Sequence, residues 1–230
     1  MHVKRGSDPN DPRAFHSSQI PLLKKACAEL CFLLDHDYPI KPSVTFIGNR
    51  YLFSNRQRMA LMRVAASEHQ IQKRKQKEVL DIKGKTLFVD GFNTIITLEI
   101  AYCHSLLLTG MDGTIRDLAG LHGTYRIIEE TTQAIDCLYQ TCQNHDVAGL
   151  HIYLDAPVSN SGRLKTKLLD MAQASPLDIE VDLVDDADHY LETKDNVVTS
   201  DAIILDRCNS WVNLVKTCIE PLHPKIITIF

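Results

Sequence analysis

No apolar run in the 230-residue chain reaches the roughly 18 residues that a membrane-spanning helix requires, so no transmembrane segment is expected. The opening stretch, Met1 to Ser7, lacks the apolar core of a signal peptide and runs into polar, proline-bearing sequence. Together these absences predict a cytoplasmic protein with no membrane partner. The seven cysteines include no Cys-x-x-Cys pair, and no histidine pair has zinc-finger spacing. An odd, irregularly spaced set is a poor disulfide framework and reads as small reduced thiols. There is no Gly-x-Ser-x-Gly elbow, no Ser-His-Asp pattern and no Walker loop, which removes the common nucleophilic and P-loop chemistries. Internal repeats and low-complexity tracts are also missing.

What is present divides in two. Residues 41–85 hold 11 basic residues against 3 acidic ones, a net of +8. Residues 86–230 hold 9 basic and 21 acidic residues, a net of −12. A basic module joined to an acidic one suits a polyanion for the first and cations for the second. The alternative is that the two halves neutralise one another across an interface.

The pattern of apolar residues follows the same division. Residues 1–17 contain two Asp-Pro pairs and are expected to be loose. Residues 18–82 read as a small basic helical module. Leu22, Leu23, Ala26, Leu30, Leu33 and Leu34 share one face of a helix over 18–36. A turn-bearing segment follows at 44–51, then a second helix over 55–79. From residue 83 to 230, apolar runs of strand length alternate with helical stretches. Five strands are expected at about 86–90, 150–154, 179–184, 196–200 and 225–230, with helices near 123–144, 162–174, 186–194 and 201–218. This alternation predicts an α/β domain with a parallel five-stranded sheet and helices on both faces. Residues 95–121 fit either a helix or a hairpin turning at Gly110 to Gly113.

In open sheets of this class ligands bind beyond the carboxyl ends of the strands. Asp90, Asp155 and Asp201 stand at strand ends, and Asp188 falls in the first turn of the helix after the third strand. Carboxylates converging from four such junctions repel one another unless cations intervene. Hard oxygen ligands select Mg²⁺ or Mn²⁺, and such ions activate water against phosphodiesters. Helix capping is the competing role for each aspartate. Elsewhere, Arg116 and Arg126 lie in a Gly-rich segment, Gly113 to Arg126, that suits a phosphate contact; Arg116 could equally form a structural ion pair with Asp117 or a strand-end aspartate. Arg50, Arg56, Arg58 and Arg63, interleaved with Tyr51 and Phe53, suit single-stranded nucleic acid or a solvated basic face. Lys165 is placed to reach a substrate backbone or simply to end a helix in solvent.

These residues carry a resemblance. Val89-Asp90-Gly91-Phe92-Asn93 is similar to the D-x-x-N opening of the NYN branch of PIN-like nucleases. Val198-Thr199-Ser200-Asp201 resembles their later strand, and Val181 to Val184 followed by Asp188 their middle motif. The resemblance covers residues 85–230. It implies a PIN-like fold, Mg²⁺ or Mn²⁺ dependence, single-stranded RNA as substrate, Asp90, Asp188 and Asp201 as metal ligands, and Asn93 as a residue orienting the site. Many of these nucleases carry a second acid where this chain has Ile203, the next acid being Asp206. A catalytically weak PIN-like module that binds RNA or protein is therefore the alternative. A phosphatase needs an acid at Phe92 and ranks below both. The whole chain also resembles an uncharacterised prokaryotic family with a helical segment bearing Gly48-Asn49-Arg50-Tyr51 and Arg56-Gln57-Arg58 before a PIN-like half.

Overall fold

The computed structural model describes residues 4–120 and 123–230. Four parallel strands form the main sheet: β1 (Thr86–Asp90), β4 (Gly149–Asp155), β5 (Asp178–Val184) and β6 (Val197–Val198). Their order is β5-β4-β1-β6, so the chain moves to opposite sides of β1 in its later crossovers. In the registers, Val89 stands opposite both Ile152 and Val198. Alternation along β1 and β4 sends Leu87, Val89, Leu150, Ile152 and Leu154 into the larger core. That core packs on α6 (Gly91–Tyr102), α7 (Glu130–Asn144), α8 (Ser161–Ala172) and α11 (Leu214–Ile219). Phe88 and Tyr153 point the other way, into a smaller core with Trp211 and with residues of α9 (Ala187–Leu191) and α10 (Ala202–Arg207). The expected parallel α/β architecture is thus present, with helices on both faces.

The fifth expected strand departs from this sheet. Residues 226–227 form β7, which pairs parallel with β2 (Leu107–Thr109), itself antiparallel to β3 (Ile115–Asp117). These three make a separate sheet in the order β3-β2-β7. The ambiguous segment 95–121 is therefore both things at once, the body of α6 and then a hairpin. The helix expected from about residue 123 begins only at Glu130; of the preceding Gly-rich segment, Leu121 and His122 lie outside the described residues.

The basic module is a set of helices: α1 (Asp11–Ala14), α2 (Ile20–Asp35), α3 (Ile40–Arg50), α4 (Asn55–Val64) and α5 (Glu68–Lys77). The segment read as turn-bearing is α3. The single helix expected over 55–79 is two, because Ser54 with Gln57 and Ser67 with Gln70 each close a reciprocal capping box that starts a new helix. This module is not a separate body. Leu23, Leu30, Ile47 and Leu61 share one core with Leu106, Leu108 and Leu118 of the hairpin region and with Ile229. Nor are residues 4–17 loose. Ala14 and Phe15 are buried in that core, and Arg5 lies 2.7 Å from the fully buried Glu99 carboxylate of α6.

The charge asymmetry is partly resolved at this junction. Arg74 of α5, 2% exposed, lies 2.7 Å from both Asp112 and Asp206 of the acidic half. Lys77 donates to the carbonyls of Asp206 and Cys208.

Candidate active site

The carboxyl end of the main sheet opens into a cleft of about 310 Å³ at the point where strand order reverses around β1. Asp90, Asp155, Asp188 and Asp201 all line it, together with Asn93. Four residues spread over more than a hundred positions of sequence are thereby brought to one place, each at the end of a strand of the same sheet or in the segment that follows one.

Local chemistry explains how each is held. Asp90 ends β1 and caps α6, its Oδ1 accepting from the Asn93 N–H at 3.3 Å. Its Oδ2 accepts from the Thr199 hydroxyl at 2.7 Å. The same hydroxyl accepts from the Asp201 N–H at 3.0 Å, so Thr199 ties the two acid-bearing loops together. Asn93 does the same from the helix side, its Oδ1 accepting from the Ser200 N–H and hydroxyl at 2.8 and 3.0 Å. Asp201 caps α10 through the Ile203 N–H at 2.7 Å. Asp155 accepts from the Ala187 N–H at 2.9 Å and so fixes the start of α9, which carries Asp188. Capping and convergence on the cleft are here properties of the same carboxylates. Gly91 makes the arrangement sterically feasible: a Cβ there would stand 2.6 Å from Leu154 and 2.8 Å from the Tyr153 carbonyl, so only glycine lets α6 start this close to β4.

The electrostatics are those of crowded acids. Asp90 is raised to about 7, first by burial and then by the charges of Asp201 and Asp188, against the pull of its Thr199 hydrogen bond. Asp188 is raised to about 6 by partial burial and by Asp201 and Asp155. Its side chain is open to the solvent on the cleft side, and screening reduces what that shift is worth. Among the described residues no three carboxylate, imidazole or thiol groups are gathered closely enough to chelate one ion directly.

Two more cleft residues stand where the sequence suggests other roles, Asp117 as a pair partner of Arg116 and Arg63 as part of the basic module. Asp117 of β3 lines the cleft, buried, with Oδ1 accepting from the Ala119 N–H at 2.7 Å and Oδ2 3.1 Å from the Thr97 hydroxyl. Arg63 of α4 lines it from the helical module. Strand alternation was the available signal for Asp117: neighbours on β3 point to opposite faces, so Arg116 and Asp117 cannot pair. Arg116 instead bonds Asp112 at 2.6 Å and is 5% exposed. Its guanidinium is a structural group joined to the Arg74 network.

The other anticipated substrate contacts are also placed away from the cleft. Arg56 donates to both Asp11 oxygens and to the carbonyls of Leu118 and Gly6. Arg58 lies over Gly48, where a Cβ would meet the guanidinium at 2.6 Å, and donates to Phe53 and Thr45 carbonyls. The Arg-Gln-Arg motif is thus a clamp on the fold, with Gln57 donating to the Ala14 carbonyl. Lys165 sits 3.9 Å from Asp182 on the edge strand. Arg126 is exposed and lends its carbonyl to Arg5. Asp206, the next acid after Ile203, is held by Arg74 and Gln70 and takes no part in the cleft.

Comparison with known proteins sets these features in a family. A model described as "Domain of unknown function (DUF5616)" matches residues 79–217, from the approach to β1 into α11. A second, "Protein of unknown function (DUF434)", matches residues 22–77, the helices α2 to α5. The chain is 32% identical over 207 residues to "Uncharacterized protein MJ0935" of Methanocaldococcus jannaschii, covering 88% of this chain and 99% of that protein. No solved structure matches it. The cleft-bearing half and most of this chain's length therefore belong to the DUF5616 family, with the DUF434 helices joined to it in a single fold.

Proposed function

We propose that the protein is a divalent-metal-dependent ribonuclease with a PIN-like site, Mg²⁺ or Mn²⁺ being held by Asp90, Asp188 and Asp201 with Asp155 behind them. The observation that carries this reading is the convergence of four aspartates from four βα junctions on one cleft at the switch point of a parallel sheet. The donor set fits the ion. It is all carboxylate oxygen, and Mg²⁺ takes one or two carboxylates directly while keeping several waters. That habit accommodates carboxylates that face a common space without closing on one point. The cation would supply charge neutralisation at the phosphodiester and a more acidic water.

The chain's own residues do the rest. Thr199 and Asn93 lock the Asp90 and Asp201 loops into one unit. Asp155 fixes the helix that presents Asp188. Asp90, pushed up to about 7 by burial and its acidic neighbours in the absence of a cation, would give up its proton as the cation binds. Single-stranded RNA is the substrate class implied by the sequence resemblance. The phosphatase reading loses its basis, since Phe92 stands where the second acid would be and is buried against Tyr125.

The test is labelled single-stranded RNA incubated with the purified protein in Mn²⁺ or Mg²⁺ and in EDTA, beside an Asp90→Asn control. Metal-dependent cleavage lost in the variant supports the proposal. Binding without cleavage, in either ion, would transfer the site to the second reading, a PIN-like binding module, which the Ile203 position and the loose carboxylate set favour. Neither binding nor cleavage would refute both.

A further inference from the structure

Arg63 stands apart from the arginines that clamp the fold. Arg56, Arg58, Arg74 and Arg116 spend their donors on carboxylates and carbonyls of this chain. Arg63, half-buried in the last turn of α4, has a guanidinium with neither a hydrogen bond nor an ion pair among the described residues. Its nearest electrostatic correspondent is Asp117, whose carboxyl is pushed up by burial and drawn part of the way back by the Arg63 charge. Yet the hydrogen bond that Asp117 accepts comes from the Ala119 N–H and not from Arg63. A guanidinium carries five donors in a fixed fork, and here they face the cleft free of any protein acceptor among the described residues, open to a ligand.

The position is also a held one. Arg56 and Arg63 are seven residues apart on one helix and so project on nearly the same face. Arg56 anchors that face to the Leu118 carbonyl, just beyond β3. The Met111 N–H donates to the Val64 carbonyl at 3.1 Å and pins the end of α4 to the hairpin turn. The side chain between these anchors points at the same space as the aspartates.

We propose that Arg63 is a phosphate-binding residue of this cleft, its guanidinium taking the non-bridging oxygens of a substrate phosphodiester, so that the helical module completes a site otherwise built by the sheet. The assignment rests on the nuclease reading and names the residue that offsets substrate charge in a cleft lined by acids. Arginine suits this task because its fork matches phosphate oxygens two at a time.

The experiment uses the full chain and a fluorescein-labelled oligouridylate. Binding is measured over a salt series in an Asp201→Asn background, which keeps the RNA intact and retains a capping side chain at α10. Adding Arg63→Ala should flatten the plot of log affinity against log salt by about 0.7, the contribution of one single-strand phosphate contact. Arg63→Lys should keep the slope. In otherwise wild-type protein Arg63→Ala should lower cleavage about a hundredfold with little change in thermal midpoint, since no partner is lost. An unchanged slope in a protein that binds and cleaves RNA overturns this assignment and leaves the nuclease reading standing. A lowered midpoint with unchanged slope makes Arg63 a structural counter-charge to Asp117 and also overturns it. A parent that neither binds nor cleaves removes the nuclease reading, and this inference with it.

Discussion

Replacing Asp90 by Asn should stabilise the metal-free protein at pH 8 and cost it up to about 1 kcal/mol at about pH 4, where the carboxyl is already neutral. Asp90 lies fully inside the cleft floor and titrates near 7, whereas in the unfolded chain it titrates near 3.8. Between those values the folded state keeps a proton that the unfolded state has released, so stability falls as pH rises through the window and the loss is complete above about pH 7. At about 1.4 kcal/mol per pH unit, the gap sets an upper limit of about 4 kcal/mol on the cost of the ionised group. Asn does not ionise. It still caps α6 as well as Asp does, and the Thr199 hydroxyl can turn to meet an amide. Allowing about 1 kcal/mol for a poorer hydrogen bond, the variant should gain roughly 1–3 kcal/mol at pH 8 in EDTA. Urea melts of both proteins at pH 4, 6 and 8 make the comparison. A variant destabilised by the same amount at every pH would show that Asp90 is only a cap and that the cleft acids do not repel one another.

Four further outcomes follow from the same geometry. Mn²⁺ at a hundredfold excess over its Kd should stabilise the wild type by about 2.7 kcal/mol, read as a rise in melting temperature, and Asp201→Asn should reduce that rise while keeping the cap of α10. Arg56→Ala should cost about 3 kcal/mol by stranding the Asp11 carboxylate, seen in urea melts, with the RNA salt slope unaltered. Arg74→Met should cost at least as much, because Asp206 loses its guanidinium partner and Asp112 keeps only Arg116 of its two. Gly91→Ala should lose about 1–3 kcal/mol through overpacking of α6 on β4, and metal-induced stabilisation should fall with it as the Asp90 loop shifts.

Much of the sheet is legible in the sequence because short-range rules govern it. The runs around Val89, Ile152 and Val181 have the length and composition of buried strands, and the aspartates that end or follow them mark the carboxyl edge. The second sheet is not legible, because two- and three-residue strands such as Ile226–Ile227 carry no period, and their pairing with Leu107 and Leu108 spans about half of the chain. The break between α4 and α5 is readable in principle from the two Ser-x-x-Gln boxes, yet Ala65 and Ala66 continue the helix-favouring sequence across it and suggest one helix. Arginine roles were the least legible. Whether a guanidinium faces solvent, a carbonyl or a cleft depends on long-range packing, and Arg56 and Arg63 differ in this although one helix carries both.

The shared core of the helical module and the small sheet has a consequence for how this chain can be divided. The two family models meet between residues 77 and 79, in the few residues after α5, which suggests a hinge between modules. Physically there is no seam. Cutting there would strip the cover from Leu106, Leu108, Leu118 and Ile229, while the detached helices would expose Leu23, Leu30, Ile47 and Leu61. Neither fragment is a solvent-ready body. The helices roof the hairpin inserted after α6, and a sheet half standing alone would need another cover for it, such as a second subunit.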